Sequence, residues 1–221
     1  MDWIPILLTI QLSAITTIIL LVIGLPIAYN ISKINSILKP FIESIINLPI
    51  VLPSTVLGFY LLLAFSPSNT FGQWIEDTLG IQVLFSFTGL VIASVIYSAP
   101  FMIQSLQTGF QQIPQQLIQA SKILGKSDLE TFFRVILPNI KHNILNGIVL
   151  TFAHTLGEFG IVLMIGGSIP GKTKVASIAI YEEVEMLNYT NAHLYSIVLL
   201  AIAFCILFCL YIIHQKSDNK L

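Results

Sequence analysis

From residue 4 to residue 28 the chain runs without a charged side chain, and about 20 consecutive apolar residues suffice to cross the hydrocarbon core of a bilayer. In lipid the backbone polar groups of such a run must be satisfied within the segment, so it can only be a helix. Apolar runs with at most one charged side chain each follow at residues 41–65, 85–106, 144–166 and 193–214. The 221 residues are 55% hydrophobic and only 10% charged, with a mean hydropathy of +0.87, which leaves too little polar surface to cover a water-soluble globule. The expected fold is an all-α polytopic membrane helix bundle with five transmembrane spans, forming one domain over residues 1–221.

The first run is preceded by Asp2 rather than by basic residues and ends without a small-x-small cleavage site, so it reads as a retained span. The second contains Pro49 and Pro53, each of which removes a backbone donor. That span is expected to be kinked or broken, and such a break is tolerated at membrane depth only beside protein or a watery cavity. Residues 66–84 read as a loop free of Lys and Arg, and residues 167–192 as a second polar loop. Placing the amino terminus outside leaves only Lys172 and Lys174 of the ten Lys and Arg on that side. The positive-inside rule therefore predicts an external amino terminus and a cytoplasmic carboxy terminus.

The third and fourth spans are separated by the stretch QASKILGKSDLETFFRVILP, residues 119–138, which is polar and basic in an otherwise apolar protein. Ile113, Leu117, Ala120 and Leu124 recur at helical spacing and predict one apolar face, ended at Gly125 by the left-handed conformation that glycine adopts readily. Ser127 and Glu130 then form a capping box for a second helix. Its apolar stripe is Leu129, Phe132, Phe133 and Ile136, and Pro138 closes it. This cytoplasmic helix pair, within residues 112–138, is expected to dock a partner, with Phe132 and Phe133 as apolar anchors in the manner of a helix in a groove.

Two segments imitate a phosphate-binding loop. GGSIPGKT, residues 166–173, fits G-x4-G-K-[ST], and ASKILGKS, residues 120–127, fits a looser form. A phosphate-binding loop needs a buried strand before it and a magnesium-holding aspartate at the end of another strand. Asp2, Asp77, Asp128 and Asp218 end no apolar run, so neither segment is read as a nucleotide site. Cys205 and Cys209 lie four apart in an apolar run and read as small hydrophobes. No metal site and no catalytic residue is expected.

Residues 119–138 resemble the Glu-Ala-Ala loop of permease subunits of ABC importers, E-A-A-x3-G-x9-I-x-L-P. Ala120, Gly125, Leu137 and Pro138 match in register and Val135 stands at the isoleucine position, while Gln119 replaces the glutamate and Ser121 the second alanine. A second block, LTFAHTLGEFGIVLMIGGSIPGKT, resembles the signature of molybdate permeases, with Gly157, Glu158, Phe159 and Gly160 followed by Ile169, Pro170, Gly171 and Thr173. Sulfate permeases of the same superfamily tend to carry tyrosine where Phe159 stands, and the family pattern usually has arginine where His154 stands. The resemblance implies a type I ABC importer permease acting on molybdate in a bacterial cell membrane. It also implies a homodimer that binds two ATPase subunits through residues 119–138 and an extracytoplasmic oxyanion-binding protein, with ATP and magnesium held by the ATPase and no cofactor by this chain.

Glu158 is the costliest residue of the fourth span, because an ionised side chain at the centre of a membrane helix is disfavoured by ~3 kcal/mol on insertion scales. His154, one turn earlier, is the expected hydrogen-bond partner, and Gly157 and Gly160 admit a neighbouring backbone. Helix rise puts Glu158 roughly 21 Å into the span, in its outer half. Two readings stand, a packing lock and a gate. A carboxylate repels an oxyanion, so the path is assigned instead to the donors Ser54, Thr55, Thr151 and Thr155. The external Lys172 and Lys174 steer an anion, meet acidic residues on a binding protein, or are simply solvated. The alternatives to molybdate import are sulfate, thiosulfate or tungstate import on the same scaffold, and an ion-coupled secondary transporter with Glu158 and His154 as a proton relay.

Overall fold

The structure, a computed structural model, describes residues 1–218. Lys220, one of the cations assigned to the cytoplasm, lies outside them. Every regular element among the described residues is helical. The chain opens with α1 (Ile4–Lys33), whose hydroxyls from Thr9, Ser13 and Thr17 donate to the carbonyls four residues earlier at 2.7, 2.9 and 2.7 Å. Such local bonds let polar residues sit inside an apolar helix.

The second run is two helices, α2 (Leu38–Val51) and α3 (Ser54–Phe65), bent by 109°. Pro49 stays inside α2. The break falls at Leu52, which the following proline holds extended at φ −75°, ψ 138°, as expected for a residue preceding proline. The loop predicted over residues 66–84 contains a helix, α4 (Thr70–Leu79), capped by Asn69 Oδ1 accepting from the Phe71 N–H at 3.0 Å and ended by Gly80 at φ +64°. The third run, α5 (Phe87–Gln112), extends a turn and a half beyond the predicted end.

After Pro114 come α6 (Gln115–Ile123) and α7 (Asp128–Thr131), a wide π turn at Phe132–Ile136, and α8 (Leu137–Asn139). Pro138 does not close the helix. It lacks an N–H and its ring crowds the carbonyl four residues back, and the wide turn before it accommodates both, so the chain runs on through α8 into α9 (Lys141–Leu156). The fourth span, expected to be continuous, is broken as well. α9 and α10 (Gly160–Gly166) meet at 62° across residues 157–159, where Phe159 leaves helical conformation at φ −131°. The carbonyl freed at Glu158 accepts from the Ser177 hydroxyl. Ser177 belongs to α11 (Ala176–Glu185), a helix inside the segment read as a polar loop, with Ala176, Ile178 and Ala179 buried. The last element is α12 (Tyr189–Asp218).

Three helices, α1, α5 and the Tyr189–Cys209 part of α12, are individually long and apolar enough to cross a membrane, and the two bent pairs bring the total to five. Ser98 pairs with Thr155 and the Ser105 hydroxyl donates to the Asn143 carbonyl, so α5 and α9 run antiparallel. The core has an end formed by Leu20, Met102, Leu106, Ile136 and Ile140, and an opposite end formed by Leu12, Leu90, Ile161, Ile165 and Ile178. The first joins higher-numbered residues of α1 to higher-numbered residues of α5 and the second lower-numbered to lower-numbered, so these two helices are parallel. Cys205 and Cys209 are free and exposed on α12.

Candidate functional site

Two places concentrate the residues singled out in the sequence. The first is the helix pair α6–α7. Gly125 adopts φ +74° and closes α6 through its N–H to the Lys122 carbonyl at 2.9 Å. The capping box is complete, with the Ser127 hydroxyl accepting from the Glu130 N–H at 3.1 Å and the Glu130 carboxylate accepting from the Ser127 N–H. Lys126 Nζ, 3.2 Å from Glu130, and that Ser127 N–H hold the Glu130 carboxyl below its usual range. The arms are joined by a buried hydroxyl pair, Ser121 with Thr131 at 2.8 Å. Ser121, which departs from the family's alanine, is therefore the clasp of the hairpin.

The apolar stripe of this pair is distributed differently from the expectation. Pro114 interrupts the helix, so Ile113 is buried against the bundle rather than in register with Leu117, Ala120 and Leu124, all of which are exposed. Phe132 turns inward, its ring 5.0 Å from Tyr29 and 6.3 Å from Phe110, and is not an outward anchor. Phe133 is 58% exposed and stands with Ile123, Leu124 and Leu129, at 85%, 78% and 70%. Gln119 is exposed, Leu137 half-buried and Pro138 exposed.

The second place is where the two broken spans meet. Gly160, the first residue of α10, lies against Ser54 and Thr55, the first residues of α3; a Cβ at Gly160 would overlap Ser54 Oγ and stand 3.1 Å from Thr55 Cγ2. Ser54 and Thr55 thus come together at this junction, Ser54 half-buried and Thr55 exposed, whereas Thr151 and Thr155 are enclosed in the bundle. Thr155 bonds Ser98 and the Thr151 carbonyl.

The expected His154–Glu158 hydrogen bond is not formed. The break after Leu156 takes Glu158 off the helical face of His154, whose Nδ1 lies 2.9 Å from Ser98 Oγ, with its ring 4.1 Å from Phe101 and 4.8 Å from Tyr97. Glu158 is 6% exposed, and neither carboxyl oxygen has a hydrogen-bond partner among the described residues. Phe159 packs on Tyr181 of α11, and Gly157 is exposed. Tyr97 and Ser98 are the participants that sequence reading missed. The available signal was the spacing of Ser94 and Ser98, two hydroxyls one turn apart in an apolar helix.

An orphaned buried polar group costs about 1–3 kcal/mol, and replacing it by an apolar group of similar shape removes that cost. Glu158→Leu is therefore expected to raise the thermal midpoint of the purified protein in detergent, and Glu158→Gln to leave it nearly unchanged.

The phosphate-loop imitation at residues 166–173 is stitched shut. The Thr173 hydroxyl donates to the Gly166 carbonyl and accepts from the Ile169 N–H, and the N–H groups of Lys172, Thr173 and Lys174 converge on the Ile169 carbonyl. Those donors point at protein rather than into a phosphate cradle. Lys174 is paired with Glu182, which also accepts from Ser168, so it is not a solvated steering charge.

Residues 4–221 match the model of the binding-protein-dependent transport system inner membrane component family. The chain is 43% identical to the molybdenum transport system permease protein ModB of Azotobacter vinelandii over 205 residues, 92% of this chain and 90% of that one. It is 34% identical to the putative molybdenum transport system permease protein YvgM of Bacillus subtilis, covering 97% and 93%. To a probable sulfate transport system permease protein of Helicosporidium it is also 34% identical, covering 94% and 77%. Among solved structures it is similar to a chain of the MetNI methionine ABC transporter, with a TM-score of 0.72 at 18% identity over 96% and 94% of the two chains. It is likewise similar to a chain of a bacterial alginate ABC transporter in complex with a pentasaccharide-bound periplasmic protein, with a TM-score of 0.74 at 17% identity over 95% and 77%. The family match over residues 4–221 and the near-complete coverage of these relatives lead to one conclusion: the chain belongs to the binding-protein-dependent transport system inner membrane component family, as a permease subunit of an ABC importer.

Proposed function

We propose that this permease imports molybdate as a homodimer, driven by two separate ATPase subunits that dock on the α6–α7 helix pair. The observation that carries the docking is the exposed apolar group Ile123, Leu124, Leu129 and Phe133 on a hairpin otherwise covered by charged residues. Exposed apolar clusters rimmed by polar residues mark interaction surfaces, and the amphipathic pair suits a groove on its partner. The lysines and arginine around it support a cytoplasmic position for this end of the bundle, where ATP is available, with the amino terminus outside. An oxyanion-binding protein delivers the substrate at the opposite end.

In this reading the junction of Ser54, Thr55 and Gly160 is part of the path, and the bend at residues 157–159, with His154 and Glu158 beside it, is where the outer gate moves. Rigid-body motion of the docked pair transmits the ATPase cycle to the bends. Glu158 is confined and unpaired in this conformation, so a conformation that brings it a partner would be favoured by its charge. Glu158→Gln is then expected to leave assembly intact and lower coupled uptake, whereas normal uptake with a disrupted dimer would assign Glu158 to packing alone.

Choice of substrate follows the relatives named for molybdenum, and the sulfate relatives at 34% identity make sulfate the second reading. The discriminating measurement is uptake of radiolabelled molybdate by cells supplied with the permease, its ATPase and its binding protein. Uptake is expected to be competed by tungstate and to survive about a hundredfold excess of sulfate, a preference of about 2.7 kcal/mol. Competition by equimolar sulfate would favour the second reading. Uptake persisting without the ATPase would assign the chain to secondary transport.

A further inference from the structure

Between the carboxy-terminal end of α1 and the helix pair lies a cavity of about 430 Å³, within the size range of small-ligand sites. Its wall from the bundle carries Tyr29 and Lys33, and its wall from the pair carries Lys122, Asp128 and Thr131. Phe110, Ile113, Ile118 and Ile136 supply its apolar floor, and neutral polar side chains from Ser32, Asn35, Gln111 and Gln115 complete the lining.

Lys33 has no carboxylate partner among the described residues. Its Nζ instead sits over the Tyr29 ring, 3.8 Å from the centroid. That ring is wedged edge-on against Phe110 at 5.3 Å and Phe132 at 5.0 Å, so the ammonium is held at the cavity wall with its N–H donors unused by any acid. Across the cavity Lys122 Nζ is 3.1 Å from Asp128 Oδ1, but the two side chains are 57% and 87% exposed. A pair this exposed is weak, and an anionic phosphate group would displace the aspartate from it. Asp128 is the only acidic residue in the lining.

We propose that this cavity is a binding site for a phosphate group, held between Lys33 of α1 and Lys122 of α6. Two ammonium groups on opposite walls, neutral donors between them and one weakly held acid make a site for an anionic phosphate group. An apolar floor accepts an organic substituent on that phosphate. Bound there, the ligand bridges the membrane bundle and the helix pair and stiffens the joint between them. The phosphate belongs either to a soluble phosphate or to an anionic lipid headgroup at the membrane surface.

The test uses the full chain in nanodiscs and needs neither ATPase nor substrate, so its outcome is independent of the import reading. With phosphatidylcholine discs, inorganic phosphate is titrated calorimetrically; with mixed phosphatidylcholine and phosphatidylglycerol discs, retained lipid is counted by native mass spectrometry. Lys33→Gln or Lys122→Gln is expected to weaken binding of the effective probe about tenfold or more, the loss expected for a charge-assisted bond. Asp128→Asn is expected to tighten it severalfold, and Lys141→Gln, a lysine outside the cavity, to leave it unchanged. A response to inorganic phosphate identifies a soluble ligand, and a response confined to phosphatidylglycerol identifies a lipid. If neither probe binds in a way that depends on Lys33 and Lys122, or if Asp128→Asn weakens binding, the site is overturned.

Discussion

Phe133→Ala is expected to weaken association with the ATPase by about thirtyfold or more while leaving the permease folded, and Phe132→Ala to do the reverse. The two neighbouring rings face opposite ways. Phe133 is exposed beside Leu129, and truncating an aromatic anchor at the centre of an interface costs ~2 kcal/mol or more of binding. Without the partner it buries little, so its loss shifts stability by about 0.5 kcal/mol or less. Phe132 belongs to the aromatic stack with Tyr29 and Phe110. Removing a packed ring costs ~3 kcal/mol or more, and this half-buried one falls at the low end of that range. Binding of the purified ATPase to nanodisc-held permease, together with the thermal midpoint of each variant alone, separates the two effects. Normal ATPase binding by Phe133→Ala would remove the helix pair from the docking surface as drawn.

Gly160→Ala is expected to abolish uptake, because the added methyl group would overlap Ser54 Oγ where α3 and α10 begin. Forcing extra atoms into a packed contact costs ~1–3 kcal/mol, here concentrated where the two bends meet. The clash has a named counterpart, so it can be relieved. Ser54→Ala removes the offending oxygen. The double variant is expected to be more stable than the sum of the single changes predicts by about 1 kcal/mol or more, as for residues in direct contact. Strictly additive thermal shifts would show that Gly160 and Ser54 do not touch in the working protein.

Much of this architecture was legible because lipid leaves few solutions. Uncharged runs of sufficient length must be helices, Pro53 must interrupt one of them, and Ser127 with Glu130 must start another. What periodicity could not supply was the direction of side chains on short helices. Leu124 and Leu129 have the spacing of a buried stripe, yet both face outward, because Pro114 resets the helix phase and the Ser121–Thr131 clasp, a polar pair, takes the inward positions. The break after Leu156 was hidden for another reason. GEFG contains no proline, and glycine in a membrane helix signals close packing as often as a bend. Once the backbone turns there, the i,i+4 relation that pairs His154 with Glu158 no longer applies, and the candidate pair separates into a bonded histidine and an isolated acid. Helix α11 escaped notice because its ten residues are too few to span a bilayer, and its burial depends on packing that distant elements supply.

One such long-distance contact bears on how the protein is made. The amide of Ala176 donates to the hydroxyl of Thr9 at 2.8 Å, and the amide of Asp2 donates to the hydroxyl of Tyr195. The first helix leaves the ribosome long before either partner exists, and at about 5–20 residues per second the 167 positions separating Thr9 from Ala176 take roughly ten to thirty seconds to synthesise. During that interval the amino-terminal helix is inserted but unfinished. A chain stopped before α11 would keep that helix in the bilayer with its binding face open, a substrate for membrane quality control rather than a smaller working subunit.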